Sequence, residues 1–280
     1  MRSAWANLKD KEMNIEKKAI LAVSFGTSYN DSRARTIEGI EDALRRTFPD
    51  FEVRRAFTSN FVIKKLKKRD GIEIDNVREA LERAVSDGIE TMIVQPTHLM
   101  KGIEFDELKR DLSPFEGSFK KCALADPLLC EESDFEAVAR IIAAETKSFD
   151  DGETAIIFMG HGTTAPSNAD YGRLQDELIK NGFINYYIGT VEASPSIEEV
   201  IIKIQDKGYK KAVLLPLMVV AGDHANKDMA GDQEDSWKSL LEREGYEVEC
   251  VLSGLGQIED IQSLYCAHAS AAISKTVGLS

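Results

Sequence analysis

Basic residues are in short supply. The 280-residue chain sets 35 lysines and arginines against 48 aspartates and glutamates, for a net charge of −13 at pH 7. So acidic a surface repels phosphate backbones, which argues against a nucleic-acid partner; a polyanionic substrate would need basic residues gathered locally. Cysteine is scarce too. Cys122, Cys130, Cys250 and Cys266 are widely spaced and form no C-x-x-C pair. That excludes a zinc knuckle or a disulfide frame and predicts reduced, mostly buried thiols. No apolar run is long enough to span a bilayer, and "MRSAWANLKDKE" lacks the apolar core of a signal peptide. A cytoplasmic protein with no membrane partner is expected, with residues 1–12 as a flexible leader. The phosphate loop G-x-x-x-x-G-K-[ST] is absent, and "SGLGQ" (253–257) lacks the third glycine of a dinucleotide fingerprint, so no nucleotide or organic cofactor is called for. Histidine numbers only four.

Apolar content, by contrast, is ordinary at 43%, enough to build a proper core. It is organised as short runs: 19–25, 51–57, 91–96, 121–126, 155–160, 184–191, 211–217 and 247–252. Amphipathic stretches lie between them. Over 33–48, Ile37, Ile40, Leu44 and Phe48 share a helical face; over 169–180, Tyr171, Leu174 and Leu178 do. This alternation predicts an α/β fold with parallel sheets flanked by helices.

The second half echoes the first. "AVSFGTS" (22–28) aligns with "FMGHGTT" (158–164), "AFTS" (56–59) with "VEAS" (191–194), and "QPTHLMKG" (95–102) with "LPLMVVAG" (215–222). Each match falls at the C-terminal end of a predicted strand. The expectation is two similar flavodoxin-like or Rossmann-like domains, 13–148 and 149–280, facing each other across a cleft.

Ligands of open parallel sheets bind beyond the carboxyl ends of the strands. His161 stands at such an end, between Gly160 and Gly162, where the first half has Phe25. Glu192 ends the next strand, and this alignment gives it Phe57 as counterpart. His224 follows the third strand, opposite Glu104. Two imidazoles and a carboxylate are a familiar donor set for a divalent transition metal. Helices opening after His161 and at His224 would disfavour imidazolium, and neutral imidazole is what a metal or a proton requires. The two glycines are expected to allow close approach of a flat, bulky ligand. A lone histidine at a strand end is more often a satisfied structural residue, and Glu192 alone reads equally well as a cap on the helix near Ser196. Their coincidence on three strand ends of one half favours a site. His98 also ends a strand, and either lines the cleft from the other domain or satisfies a loop carbonyl. His268, in the final helix, reads as a packing or surface residue. "HGTT" is similar to the oxyanion loop of esterases, yet no G-x-S-x-G elbow accompanies it.

With "AILAVSFGTS", "RAFTS", "VQPTHLMKGIEFDE", "GHGT", "VEASPS" and "GDHANKDMAGD" in order, the chain from about Lys17 to its last helix resembles the anaerobic cobalt chelatases. These are sirohydrochlorin cobaltochelatases of the class II chelatase group that includes ferrochelatase. The resemblance implies a tetrapyrrole cleft between two domains and a metal site at His161, Glu192 and His224, with His161 as proton acceptor. It implies sirohydrochlorin as substrate and Co²⁺ as substrate metal in cobalamin synthesis, with Fe²⁺ and Ni²⁺ as alternatives. The substrate is a polycarboxylate. Candidate partners are Lys64, Lys65, Lys67, Lys68 and Arg69, although such a run is usually a solvated helix face, and the loops at Thr27, Ser28, Thr163 and Thr164. His98 and Glu104 are further candidates for substrate contact. A non-catalytic tetrapyrrole or metal carrier with the same cleft is the competing class, and a homo-oligomer is left open.

Overall fold

The computed structural model describes residues 16–277; the expected leader 1–12 lies outside them. In the first half the order is β1 (Lys18–Ser24), α1 (Asn30–Arg35), α2 (Ile37–Thr47), β2 (Glu52–Phe57), α3 (Asn60–Asp70), α4 (Val77–Ser86), β3 (Thr91–Pro96), α5 (Ile103–Leu112), β4 (Lys121–Leu124) and α6 (Glu132–Glu145). The second half follows with β5 (Thr154–Gly160), α7 (Ala169–Lys180), β6 (Tyr186–Thr190), α8 (Ile197–Ile204), β7 (Lys211–Pro216), α9 (Trp237–Arg243), β8 (Glu247–Cys250) and α10 (Glu259–Val277). All eight apolar runs became strands. They form two four-stranded parallel sheets, β2-β1-β3-β4 and β6-β5-β7-β8. The fold class is therefore the expected one.

The central strands carry continuous apolar runs because both faces of each sheet are covered. Ala19–Val23 and Ala155–Met159 are buried throughout. Helix α7 spans the predicted 169–180, with Tyr171, Leu174 and Leu178 inward. The helix expected over 33–48 is broken at Thr36, whose hydroxyl donates to the Ser32 carbonyl at 2.6 Å. Ile37, Ile40 and Leu44 still face the core from α2, while Phe48 is its C-cap residue.

The two sheets are not joined by a linker alone. One apolar cluster takes Ile20, Ala22 and Ile93 from the first sheet, Ile156, Phe158 and Ile188 from the second, Phe135 and Val138 from α6, and Ile261 and Tyr265 from α10. Helix α6 packs on α7, and α10 crosses back onto α2, β3 and β4. The buried Tyr265 hydroxyl bonds the carbonyls of Thr97 (3.1 Å) and His98 (3.2 Å) at the end of β3. A shared core fixes the relative position of the strand ends, since packed interiors do not deform continuously.

The four cysteines are free thiols; Cys266 is buried and the other three are half-buried. Burial pushes the Cys122 thiol up to about 11. None of the described helices is long and apolar enough to cross a membrane.

Candidate metal centre

Parallel register sets the site. In the second sheet Gly160 lies opposite Thr190, and Met159 opposite Pro216. The chain leaves β5 at His161, whose carbonyl accepts the Glu192 amide at 2.9 Å. This backbone bond brings the second residue past β6 next to the first residue past β5. The first half makes the same bond between the Ser59 amide and the Phe25 carbonyl, at 3.2 Å. Ser59, not Phe57, is therefore the counterpart of Glu192. The correction comes from loop length. Only Thr58 separates β2 from Ser59, the cap of α3, whereas Val191–Pro195 separate β6 from Ser196, the cap of α8. Ser196 shares a capping box with Glu199, so Glu192 is not the helix cap. The pairing of His224 with Glu104 holds: Asn226 bonds the Gly222 carbonyl as Asp106 bonds that of Gly102.

The glycines beside His161 have a different cause from the expected one. A Cβ on Gly160 would come within 2.3 Å of the Tyr171 ring. Gly162 has φ +84°, and a Cβ there would lie 2.8 Å from the Ala193 amide nitrogen. Protein, not ligand, fills the space. Tyr171 also accepts the Gly162 amide through its hydroxyl at 3.3 Å, so the turn that aims His161 is held from beneath.

His161, Glu192 and His224 each present one ligand atom within 4.8 Å of the other two. The imidazole rings meet edge to face, their centroids 4.7 Å apart. Glu192 Oε1 lies 3.8 Å from His161 Nε2. The side chains stay 47%, 56% and 33% exposed, so a metal and a large ligand can reach them. Each histidine has Nδ1 engaged elsewhere. His161 Nδ1 is 2.9 Å from the Gly162 carbonyl, which makes Nδ1 the donor, and His224 Nδ1 is 2.6 Å from Asp228 Oδ2. Both Nε2 lone pairs are thereby left for a metal. Asp228 was missed in the sequence reading; its signal is the spacing His-x-x-x-Asp, which brings the two side chains together over one turn. The segment after His224 is a single π-helical turn, Ala225–Met229, rather than the start of an α-helix.

The first half reaches this cluster from the facing rim. Tyr29 donates from its hydroxyl to Asp223 Oδ1 at 3.0 Å, next to His224. Asp223 is held below the usual carboxylate range, chiefly by its bond from Lys227. Glu104 is exposed in the first turn of α5. Desolvation raises its carboxyl, and the nearby His161 opposes that rise.

The remaining candidates are placed elsewhere. Thr27 and Ser28 are buried, and Thr27 Oγ1 is taken by the Tyr29 amide. Thr163 Oγ1 accepts the Ala165 amide in a local turn, and Thr164 is exposed. His98 is 7% exposed, with neither ring nitrogen hydrogen-bonded, and burial lowers its pKa to about 4. His268 bonds Asp134 at 3.2 Å behind the sheets.

The family model described as cobalt chelatase (CbiK) matches residues 18–274. A sirohydrochlorin cobaltochelatase of Salmonella typhimurium is 35% identical over 261 residues, covering 93% of this chain and 98% of that protein. The sirohydrochlorin cobaltochelatase CbiKC of Nitratidesulfovibrio vulgaris is 31% identical over 266 residues, covering 94% and 93%. Among solved structures, SirB from Bacillus subtilis with Fe³⁺ superposes with a TM-score of 0.65 at 13% identity, over 94% of this chain and 98% of that one. CbiX, described as the terminal enzyme of siroheme biosynthesis in denitrifying bacteria, gives 0.57 at 18% identity, over 91% and 99%. At those identities the two structures speak for the fold.

Proposed function

The chain belongs to the cobalt chelatase family, and from that premise we propose that it inserts Co²⁺ into sirohydrochlorin at His161, Glu192 and His224, as a step of cobalamin synthesis in the cytoplasm. The observation that carries the site assignment is the pair of imidazoles whose Nδ1 atoms are both engaged, clustered with one carboxylate so that a ligand atom of each residue lies within 4.8 Å of the other two.

Insertion exchanges two pyrrolic protons for one divalent ion. Three protein ligands leave coordination positions free for ring nitrogens. As the ring nitrogens take the metal, the metal leaves His161 Nε2, and the lone pair released there accepts one pyrrolic proton. Ligation and proton acceptance are thus successive uses of one atom. The carboxylate of Glu192, 3.8 Å away and released in the same transfer, is the base for the other proton. Moderate ligand number favours transfer, since a closed four-ligand site would retain the ion. Imidazolium does neither job, so the neutral ring is the form the proposed reaction requires.

The donor set accepts Co²⁺, Fe²⁺ and Ni²⁺ alike, and affinity order alone does not choose among them. The test is an insertion assay with sirohydrochlorin, followed by its visible spectrum, with each metal supplied separately. Multiple turnovers with Co²⁺ are expected. Stoichiometric binding without turnover would instead make the protein a carrier.

A further inference from the structure

The two rims carry opposite chemistry in the same spatial order. Across β6, β5 and β7 stand Glu192, His161 and His224. Across β2, β1 and β3 stand Phe61, at the start of α3, Phe25, just past β1, and Ile103, at the start of α5. These three are 70%, 47% and 50% exposed, and they are among the few large apolar side chains left in solvent within the described residues. Neighbouring strands are about 4.8 Å apart, so the ends of β2, β1 and β3, from which the three segments lead off, span roughly 10 Å. Exposed apolar residues gathered on a ligand-facing rim mark a binding surface.

Charge follows the same edge. Of the basic run on α3, Lys67 pairs with Glu73 at 2.8 Å. Arg69 is spent on Asp70, the Ser28 carbonyl and Asn30. Lys64 and Lys68 are exposed, while Lys65 is half-buried. The Lys65 ammonium lies 6.0 Å from the centroid of the Phe61 ring, one turn away, and its charge acts on Asp223 beside His224. Among the described residues Lys64, Lys65 and Lys68 all lack an ion pair, and of these three only Lys65 is half-buried and beside an aromatic ring. Helix α3 is fixed in this pose because Val62 and Leu66, on its other face, pack with Phe57 and with Val220 of the second half.

We infer that Phe61, Phe25 and Ile103 form the apolar seat for the face of the macrocycle turned away from the metal, and that Lys65 receives a substrate carboxylate at the edge of that seat. This deepens the chelatase reading and rests on it. Lys65 is thereby the selected member of the run, and a partly desolvated ammonium on an aromatic face is the form best suited to a carboxylate in an acidic protein.

The test reads ring binding apart from chemistry. Free-base sirohydrochlorin is titrated without metal, by its own fluorescence, into the full chain and into Lys65→Glu, Phe61→Ala and Lys207→Glu. Lys207 is exposed on the turn before β7, at the amino end of that strand and so opposite the rim that carries the site, and its reversal makes the same change in net charge. Lys65→Glu is expected to weaken ring binding about tenfold and to flatten its dependence on salt, while Lys207→Glu stays within twofold of the parent. Phe61→Ala is expected to weaken binding at every salt concentration. Co²⁺ affinity without the ring should be unchanged in Phe61→Ala and Lys207→Glu. Parent-like ring binding by Lys65→Glu and Phe61→Ala, or an equal loss in Lys207→Glu, overturns the seat while leaving the chelatase reading intact. A parent protein that binds no sirohydrochlorin overturns both.

Discussion

The two sheets repeat one strand order, β2-β1-β3-β4 against β6-β5-β7-β8, and even one backbone bond, from the residue two past the second strand to the residue one past the first. What differs is the side chain at each matched position. Phe25 stands where the second half has His161, Ser59 where it has Glu192, and Glu104 where it has His224. The fold therefore requires none of the three metal-competent residues. A repeated backbone supplies two rims: the second half carries three metal-competent side chains at the matched positions, while in the first half only Phe25 is apolar at a matched position and the exposed Phe61 and Ile103 lie close by in sequence. The lesson is that the site lives on loop termini, where side chains change at little cost to the core.

The strongest way to break this asymmetry is to remove His161. His161→Ala is expected to lower the rate of Co²⁺ insertion by about a thousandfold or more, since it deletes the residue proposed as both a ligand and the proton acceptor. Sirohydrochlorin binding, followed by fluorescence without metal, should survive. Phe25→His in the same protein copies the residue onto the matching position of the first half and should restore nothing, because Ser59 and not a carboxylate stands beside it. Near-parental turnover by His161→Ala would make the histidine structural and the assignment wrong.

Both rims were legible in the sequence to different degrees. The strands could be read because parallel, doubly covered strands are continuous apolar runs, as in Thr154–Gly160. His161 could be read because it interrupts such a run at its end, and His224 because it lies in the segment that follows one. The partner of Glu192 could not be read. The serines of "AFTS" and "VEAS" suggested a match, but the capping serine of α8 is Ser196, two residues further on. Nor could the reason for Gly160 and Gly162, because the Tyr171 ring and the Ala193 amide that crowd them lie elsewhere in the sequence. The return of α10 onto the first sheet is likewise a tertiary choice, invisible to local periodicity.

His98 sharpens the comparison from the opposite side. It is a histidine at a strand end of the first half, yet it is buried with both ring nitrogens unpaired, and the matching position past β7 is Met218. Desolvation lowers its pKa from 6.5 to about 4. A depressed folded-state value means that the unfolded chain binds the proton first. Its contribution is fully present above about pH 6.5 and is lost as pH falls toward 4, about 3 kcal/mol in all. His98→Met should remove that share of the acid destabilisation, measured by urea unfolding at pH 7, 6, 5 and 4. Parallel pH profiles for parent and variant would show that the imidazole is solvated or partnered.

Glu192→Ala tests whether the carboxylate is a ligand rather than part of the scaffold. Its side chain is 56% exposed and leaves no buried partner behind, so stability should stay within about 0.5 kcal/mol of the parent. Co²⁺ affinity and insertion rate should both fall, on the order of tenfold to a hundredfold, with the donor set reduced to two imidazoles. Unfolding of the variant, seen by circular dichroism, would place Glu192 in the scaffold instead.

The smallest expected effect separates the two histidines from each other. His161 is oriented by its neighbour's carbonyl, at Gly162, which no substitution removes; His224 is oriented by the carboxylate of Asp228 at 2.6 Å, which one substitution neutralises. A charged acceptor on Nδ1 raises the basicity of Nε2 as well as fixing the tautomer. Asp228→Asn keeps the shape and an oxygen that can accept from Nδ1, so the ring stays in place while the charge is lost. Co²⁺ affinity, measured by titration without the ring, should then fall about tenfold. Asp228→Ala, which frees the ring to rotate, should fall further. If both variants bind Co²⁺ like the parent, His224 needs no orienting partner, and packing against His161 alone holds its ring.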